Sequence, residues 1–222
     1  LAALTHPKIR VVAGALGWFD AGVPLHWKSG GPSREAALTH APLPPAGVWP
    51  SPADARAWPF HWCGIEAEIA LRLGSAVDHD LARRLDGAGA SALVDAMAVS
   101  IEIVDSRWRQ ARHASALHKL CDLQSHGALV LGEWVAPRAM DWSAQTCELK
   151  IGGQSSSFQG SHSLGDPFWL LPQWLRHVTR DGAVLPKGAV VSTGTWCGLP
   201  LAQRGDTVWA RFAGVGEASV RL

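Results

Sequence analysis

Glu66 and Glu68 stand two residues apart in the run GIEAEIALRL at 64–73, and Glu102 sits between Ile101 and Ile103 in VSIEIV at 99–104. Side chains alternate along a strand, so Glu66 and Glu68 share one face while Ala67, Ile69, Leu71 and Leu73 take the other. Glu102 points away from its isoleucines in the same manner. Like charges in largely apolar strands are costly unless something positive offsets them. Carboxylate oxygens at this spacing suit a hard divalent cation, Mg²⁺ or Mn²⁺, whose remaining positions take water and substrate oxygens. The plainer reading of Glu66 and Glu68 is a solvent-facing pair on a half-exposed strand; Glu102 adds a third acid on a matching face and favours an oxygen site. Asp105 is the rival third ligand, although strict alternation puts it on the isoleucine side unless the strand has ended.

Other chemistry finds less support. His113, His118 and His126 are separated by five and eight residues, which matches neither a helical i, i+4 pair nor a strand pair, and they read as structural or surface groups. His26 and His61 flank the motifs as candidate pocket walls. The chain has no G-x-S-x-G nucleophile elbow and no G-x-G-x-x-G dinucleotide fingerprint. Cys63, Cys121, Cys147 and Cys197 form no C-x-x-C pair, which points to reduced thiols and a cytoplasmic protein.

The elements that must position these groups are mostly strands. Gly64–Leu73 and Val99–Val104 alternate, with a helix expected between them at Ser91–Ala98 capped by Ser91. Ala128–Val135 reads as a strand ending near Gly132. Asp166 followed by Pro167 predicts a helix N-terminus, with Phe168, Leu171, Leu175 and Val178 at helical spacing up to Gly182. Pro172 either kinks that helix or marks a later start. Ala189–Ser192, Thr207–Phe212 and Ala218–Leu222 complete the pattern, the last two joined by a turn at Gly214–Gly216. Residues 41–59 carry six prolines and read as a connector, so the expected organisation is a short N-terminal segment at 1–59 and a metal-binding catalytic β domain at 60–222. The predicted class is α+β, a mostly β mixed sandwich or roll with a few helices.

The 222 residues have a formal charge of +1 and no basic block, which argues against nucleic acid as a partner. No apolar run approaches a membrane span. His6, Pro7, Lys8 and Arg10 interrupt what would be the apolar core of a signal peptide. There are twelve Trp and no Tyr. The tryptophans raise an alternative of another class, a non-catalytic module stacking ligands on exposed indoles. The missing phenol leaves a lysine, a serine or metal-bound water to handle protons.

Five stretches in order, GIEAEIALRLG, IEIVDSR, DLQSHGALVLG, LGDPFWLLPQWL and LPKGAVVSTGT, resemble the fumarylacetoacetate hydrolase superfamily, most closely its 2-keto-4-pentenoate hydratase branch. The resemblance runs from about Lys28 to the C-terminus. It implies a β fold holding one Mg²⁺ or Mn²⁺ on Glu66, Glu68 and Glu102. It further implies catalytic roles for Lys28 in HWKSGG and Ser125 in DLQS, and a substrate-closing segment containing Gly194 and Thr195. Arg107 is a candidate substrate-binding residue or a strand-end cation. Two features depart from the hydratases: Asp166 stands where they carry histidine, and no acid follows Lys28 in THAPLPPAGVWP.

The implied chemistry is that of a small 2-oxo acid held through its carboxylate and 2-oxo oxygens, with an enolate stabilised at the metal. Hydration of a 2-hydroxy-2,4-dienoate leads. C–C hydrolysis of an acylpyruvate or β-diketo acid and decarboxylation of a 2-oxo acid share the same enolate. A poorly solvated Lys28 would have its pKa drawn toward neutrality and relay the proton. A homo-oligomer is expected.

Overall fold

The computed structural model describes residues 13–19 and 22–222; residues 1–12, with His6, Pro7, Lys8 and Arg10, lie outside the described residues. Its centre is an antiparallel pair, β5 (Gly64–Leu73) and β6 (Val94–Val104), in which Glu66 lies opposite Glu102 and Glu68 opposite Ser100. Cross-strand partners share a face, so this register alone puts the three acids on one side of the sheet.

On one flank β7 (His126–Leu131) pairs with β6, and β3 (Val48–Pro50) forms the edge. On the other flank β10 (Val190–Ser192) pairs with β5, β1 (His26–Gly30) runs parallel to β10, and β2 (Thr39–Pro42) closes the row. These seven strands make the first sheet. The second has the order β4 (Ala53–Asp54), β12 (Gly216–Arg221), β11 (Thr207–Phe212), β8 (Thr146–Ile151) and β9 (Gln154–Gln159).

The two sheets pack face to face, with β12 and β11 over β6. Ile65, Ala67, Ile69 and Leu71 on one side, and Val208, Ala210, Phe212 and Val220 on the other, form one apolar core. Short helices pack around the sheets, among them α1 (His79–Arg84), α2 (Gly87–Ser91), α3 (Ala116–Cys121) and α4 (Leu171–Thr179). The expected mostly β, two-layer architecture is therefore what the chain adopts. None of the four cysteines is in a disulfide.

Several local expectations change. Ser91 ends a helix rather than capping one. Asp86 caps α2 through the Gly89 N–H at 2.8 Å, and the residues after Leu93 join β6. Ala96–Ala98 has helix-compatible composition, but these residues lie in a strand buried on both faces, where packing overrides propensity. Asp166 does accept a hydrogen bond from Phe168 N–H at 2.8 Å, yet regular helix begins at Leu171 with Pro172 in its first turn. The missing proline N–H costs nothing there. The strand expected over 128–135 ends at Leu131, and Val135 forms an isolated bridge with Met97. The proline-rich stretch supplies the edge strand β3 and a fully buried Leu43, and β8 and β9 were not anticipated.

Gly132, just past β7, packs against the backbone of β12. A Cβ built there would lie 2.4 Å from the Glu217 carbonyl oxygen and 3.1 Å from that of Val99, both backbone atoms that cannot rotate away. Gly132→Ala is expected to destabilise the protein by about 1–3 kcal/mol through overpacking, read as a fall in Tm of several degrees.

Candidate metal centre

Oxygen atoms of Glu66, Glu68 and Glu102 all lie within 4.8 Å of one another on the face opposite the core. Glu68 and Glu102 are fully buried, and Glu66 reaches the cavity in front of them. Each carboxylate has a different set of partners. Glu68 Oε2 accepts from the Ser192 hydroxyl and from Gly194 N–H at 3.0 Å, and Ser192 Oγ lies 3.0 Å from Ser100 Oγ. Glu102 Oε1 accepts from Lys28 Nζ at 2.6 Å and lies 3.2 Å from His126 Nδ1. Glu102 Oε2 is buried with no hydrogen-bond partner.

That orphaned oxygen bears directly on a cation. A buried carboxylate oxygen without a donor is costly and rare. Cis oxygens on one Mg²⁺ at about 2.1 Å stand about 3 Å apart, so rotation of the carboxylates toward one another would complete such a site. The donor set is all oxygen, as Mg²⁺ and Mn²⁺ prefer. The residues fit a hard divalent ion.

The electrostatics follow from burial. Desolvation pushes Glu66 up to about 8, with Lys28 pulling it down and the neighbouring carboxylates pushing it further up. Desolvation and the Glu102 charge push Glu68 up to about 7, against its bonds from Ser192 and Gly194. Glu102 goes the other way: burial raises it, but Lys28 and His126 outweigh burial and hold it below the usual carboxylate range. Burial alone would lower Lys28; Glu102, Glu66 and Glu68 together keep its proton on more tightly than usual. This corrects the expectation of a lysine drawn toward neutrality, because the charge of the acids exceeds the penalty of desolvation.

Of the other anticipated residues, Ser125, Gly194 and Thr195 line the same cavity as Lys28, Glu66 and Glu68. Ser125 ends a run of three left-handed residues, with φ of 49° at Leu123, 56° at Gln124 and 61° at Ser125. Each such non-glycine residue costs of order 1 kcal/mol or more, and the turn they make presents the Gln124 carbonyl to Lys28 Nζ at 3.2 Å. Arg107 is placed elsewhere: its guanidinium donates to Asp122 Oδ1 at 2.7 Å and to the His126 carbonyl, and stacks on Trp18. Asp105 is occupied by the amides of His61, Trp62 and Ser106 and stands apart from the cluster. His26 and His61 do not line the cavity.

Sequence reasoning read His126 as a structural or surface group and missed Ser192 and Gln124, whereas all three lie against the cluster or its lysine. His126 lies opposite Val104, just past an irregularity in the β6–β7 register, and such bulges redirect side chains. Ser192 could have been found from the strand at 189–192 once its neighbour was known to be β5. Of the twelve tryptophans, Trp108 is exposed, three are buried and eight are half-buried.

The fold is two layers of β-sheet with an all-carboxylate cluster beside a buried lysine. Residues 41–222 match the model of the fumarylacetoacetate hydrolase C-terminal family, and the chain belongs to that family. No curated protein matches the sequence. Among solved structures, the chain resembles 4-oxalocrotonate decarboxylase from Pseudomonas putida G7, complexed with magnesium and adipate. The TM-score is 0.79 at 18% identity, covering 96% of this chain and 82% of that one. It also resembles fumarylpyruvate hydrolase from Pseudomonas aeruginosa in complex with Mn²⁺ and pyruvate, with a TM-score of 0.63 at 18% identity over 90% of this chain and 89% of that one. A third likeness is to 5-carboxymethyl-2-hydroxymuconate delta-isomerase from Mycobacterium smegmatis, with a TM-score of 0.59 at 19% identity over 88% and 75%. At these identities the likeness establishes the fold.

Because the folded protein raises Glu66 and Glu68 above their ordinary value of 4.5, it holds protons that the unfolded chain has released. Stability from these groups is complete below that value and is lost as pH rises through about 7 and about 8. Metal-free protein is expected to melt at progressively lower temperature from about pH 5 to about pH 9, with Glu66→Gln flattening the slope. A flat profile for the unaltered protein would contradict this electrostatic picture.

Proposed function

We propose that the protein is a divalent-metal-dependent enzyme acting on a small 2-oxo acid through an enolate, with hydration of a 2-hydroxy-2,4-dienoate as its reaction. The observation that carries this reading is the unpartnered, buried Oε2 of Glu102 within a cluster of three carboxylates facing one ammonium. The metal complexes of the similar decarboxylase and hydrolase support it. Glu66, Glu68 and Glu102 would hold Mg²⁺ or Mn²⁺. Bound there, the ion would supply Lewis acidity toward a carboxylate and an adjacent oxo group.

The chain's own residues do the rest. Gly194 N–H and Ser192 fix Glu68, so that one of its oxygens stays turned to the cluster. Lys28, clamped between Glu102 and the Gln124 carbonyl and holding its proton tightly, is the proton donor beside the carboxylates. Ser125 and Thr195 line the cavity and would orient the substrate there. With no tyrosine in the chain, no phenol competes for these roles.

C–C hydrolysis of an acylpyruvate and decarboxylation of a 2-oxo acid are the alternatives, since both pass through the same enolate, and the similar hydrolase and decarboxylase support them.

Two measurements test the proposal. MgCl₂ together with oxalate is expected to raise Tm, whereas no titratable divalent metal and no shift would overturn it. A spectrophotometric screen of 2-hydroxypenta-2,4-dienoate, an acylpyruvate and oxaloacetate, with and without Mg²⁺, is expected to show metal-dependent turnover. Glu68→Ala should lose at least ~100-fold in kcat. Equal rates for that variant would remove Glu68 from the mechanism.

A further inference from the structure

The two oxygens of Glu102 are treated unequally. Oε1 accepts from Lys28 Nζ at 2.6 Å and faces His126 Nδ1 at 3.2 Å, while Oε2 has no partner. A carboxylate oxygen offers two lone pairs, so two donors fill Oε1 and leave Oε2 as the one oxygen of Glu102 open to a cation. This holds only if His126 donates, and its surroundings require that it does. Glu102, ion-paired to Lys28, can only accept. The other ring nitrogen, Nε2, is buried without a hydrogen-bond partner. A proton on Nε2 would strand a buried donor there and set Nδ1 against the carboxylate as a second acceptor. A proton on Nδ1 alone meets Glu102 and strands no donor.

The backbone delivers this ring. His126 stands opposite Val104 where the register of β6 and β7 shifts, and the next residue is Gly127. A Cβ built on Gly127 would lie 2.6 Å from the Ile103 carbonyl oxygen and 2.9 Å from Asp105 Cβ, so a glycine is needed for the two strands to approach this closely. Arg107 fixes the same point from the other side: one terminal nitrogen donates to the His126 carbonyl at 3.1 Å, and the other to Asp122 Oδ1 at 2.7 Å. The ring itself is fully buried. Arg107, placed away from the cavity, thus anchors the backbone of a residue that reaches the cluster.

We infer that His126 is a positioning residue that restricts Glu102 to one open oxygen and thereby sets which divalent ion the cluster prefers. This rests on the metal-dependent reading above and deepens it. Mg²⁺ demands near-ideal octahedral geometry and suits carboxylates that offer a single oxygen, whereas Ca²⁺ accepts a larger, looser set and readily takes both oxygens of one carboxylate. With Lys28 as its only donor, Oε1 would regain a lone pair and could turn toward the ion beside Oε2. Removing the ring therefore favours Ca²⁺ over Mg²⁺, and the hydrogen bond from Nδ1 favours the reverse.

Calorimetric titration of metal-free protein with MgCl₂ and with CaCl₂ tests this. His126→Leu should weaken Mg²⁺ binding about tenfold while Ca²⁺ binding holds or tightens, so that the ratio of the two Kd values moves toward Ca²⁺ by at least that factor. His126→Asn, whose amide nitrogen can take the place of Nδ1, should restore most of the ratio. Independently of how either variant folds, ¹⁵N NMR of the unaltered protein should find the His126 proton on Nδ1; a proton on Nε2 would overturn the inference. An unchanged ratio in His126→Leu, or an equal loss for both ions, would also overturn it, while ion binding by the unaltered protein upheld the metal reading. If the unaltered protein binds neither ion, the metal reading falls and the role of His126 with it.

Discussion

Three carboxylates and one ammonium share a buried face at the middle of a seven-stranded sheet, and the surrounding architecture answers that concentration of charge. Burying an unpaired carboxylate is prohibitive, and a group so placed takes up a proton or finds a cation. Here both happen. Lys28 neutralises Glu102, whereas Glu66 and Glu68 are pushed up to about 8 and about 7. In the metal-free protein the cluster therefore sits between charge states near neutral pH, responsive to any added positive charge.

The register of β5 against β6 makes this possible. It sets Glu66 beside Glu102 and leaves the reverse faces of both strands wholly apolar, so the second sheet seals that side. Rigid strands thus hold the carboxylates, while the groups that surround them arrive on less regular backbone: the left-handed turn at 123–125 and the segment around Gly194, whose φ is +108°. Strain collected in such segments is characteristic of sites whose geometry is fixed by surrounding structure.

Much of this was legible in the sequence because period-two alternation is a strong signal. GIEAEIALRL reads as a strand with its acids on one face, and the structure gives the same bounds, Gly64–Leu73. The glutamates form one cluster, and Lys28, Ser125, Gly194 and Thr195 line the cavity before it. Alternation cannot report what covers a face. A pair that looks solvent-facing in one strand is buried here because distant segments close over it. The composition of Ala96–Ala98 suits a helix and a doubly buried strand equally, so the boundary at β6 was misplaced. His126, read as a structural or surface group, reaches Glu102 through an irregularity in register, and Gln124 contributes a carbonyl and a left-handed φ that no side-chain pattern announces.

Lys28 lies on β1, ahead of the stretch that defines the family, which begins at residue 41. The cluster is thus assembled from two pieces of chain, and the acids and their counter-ion are separable by a single cut. A fragment starting at Ala41 would keep Glu66, Glu68 and Glu102 but lose the ammonium that faces them, and β10 would become a bare sheet edge with nothing beside it. Such an edge invites pairing with other chains. The family's conventional boundary is therefore a poor place to divide this molecule, since the leading strand is both the charge balance of the site and the guard on its sheet.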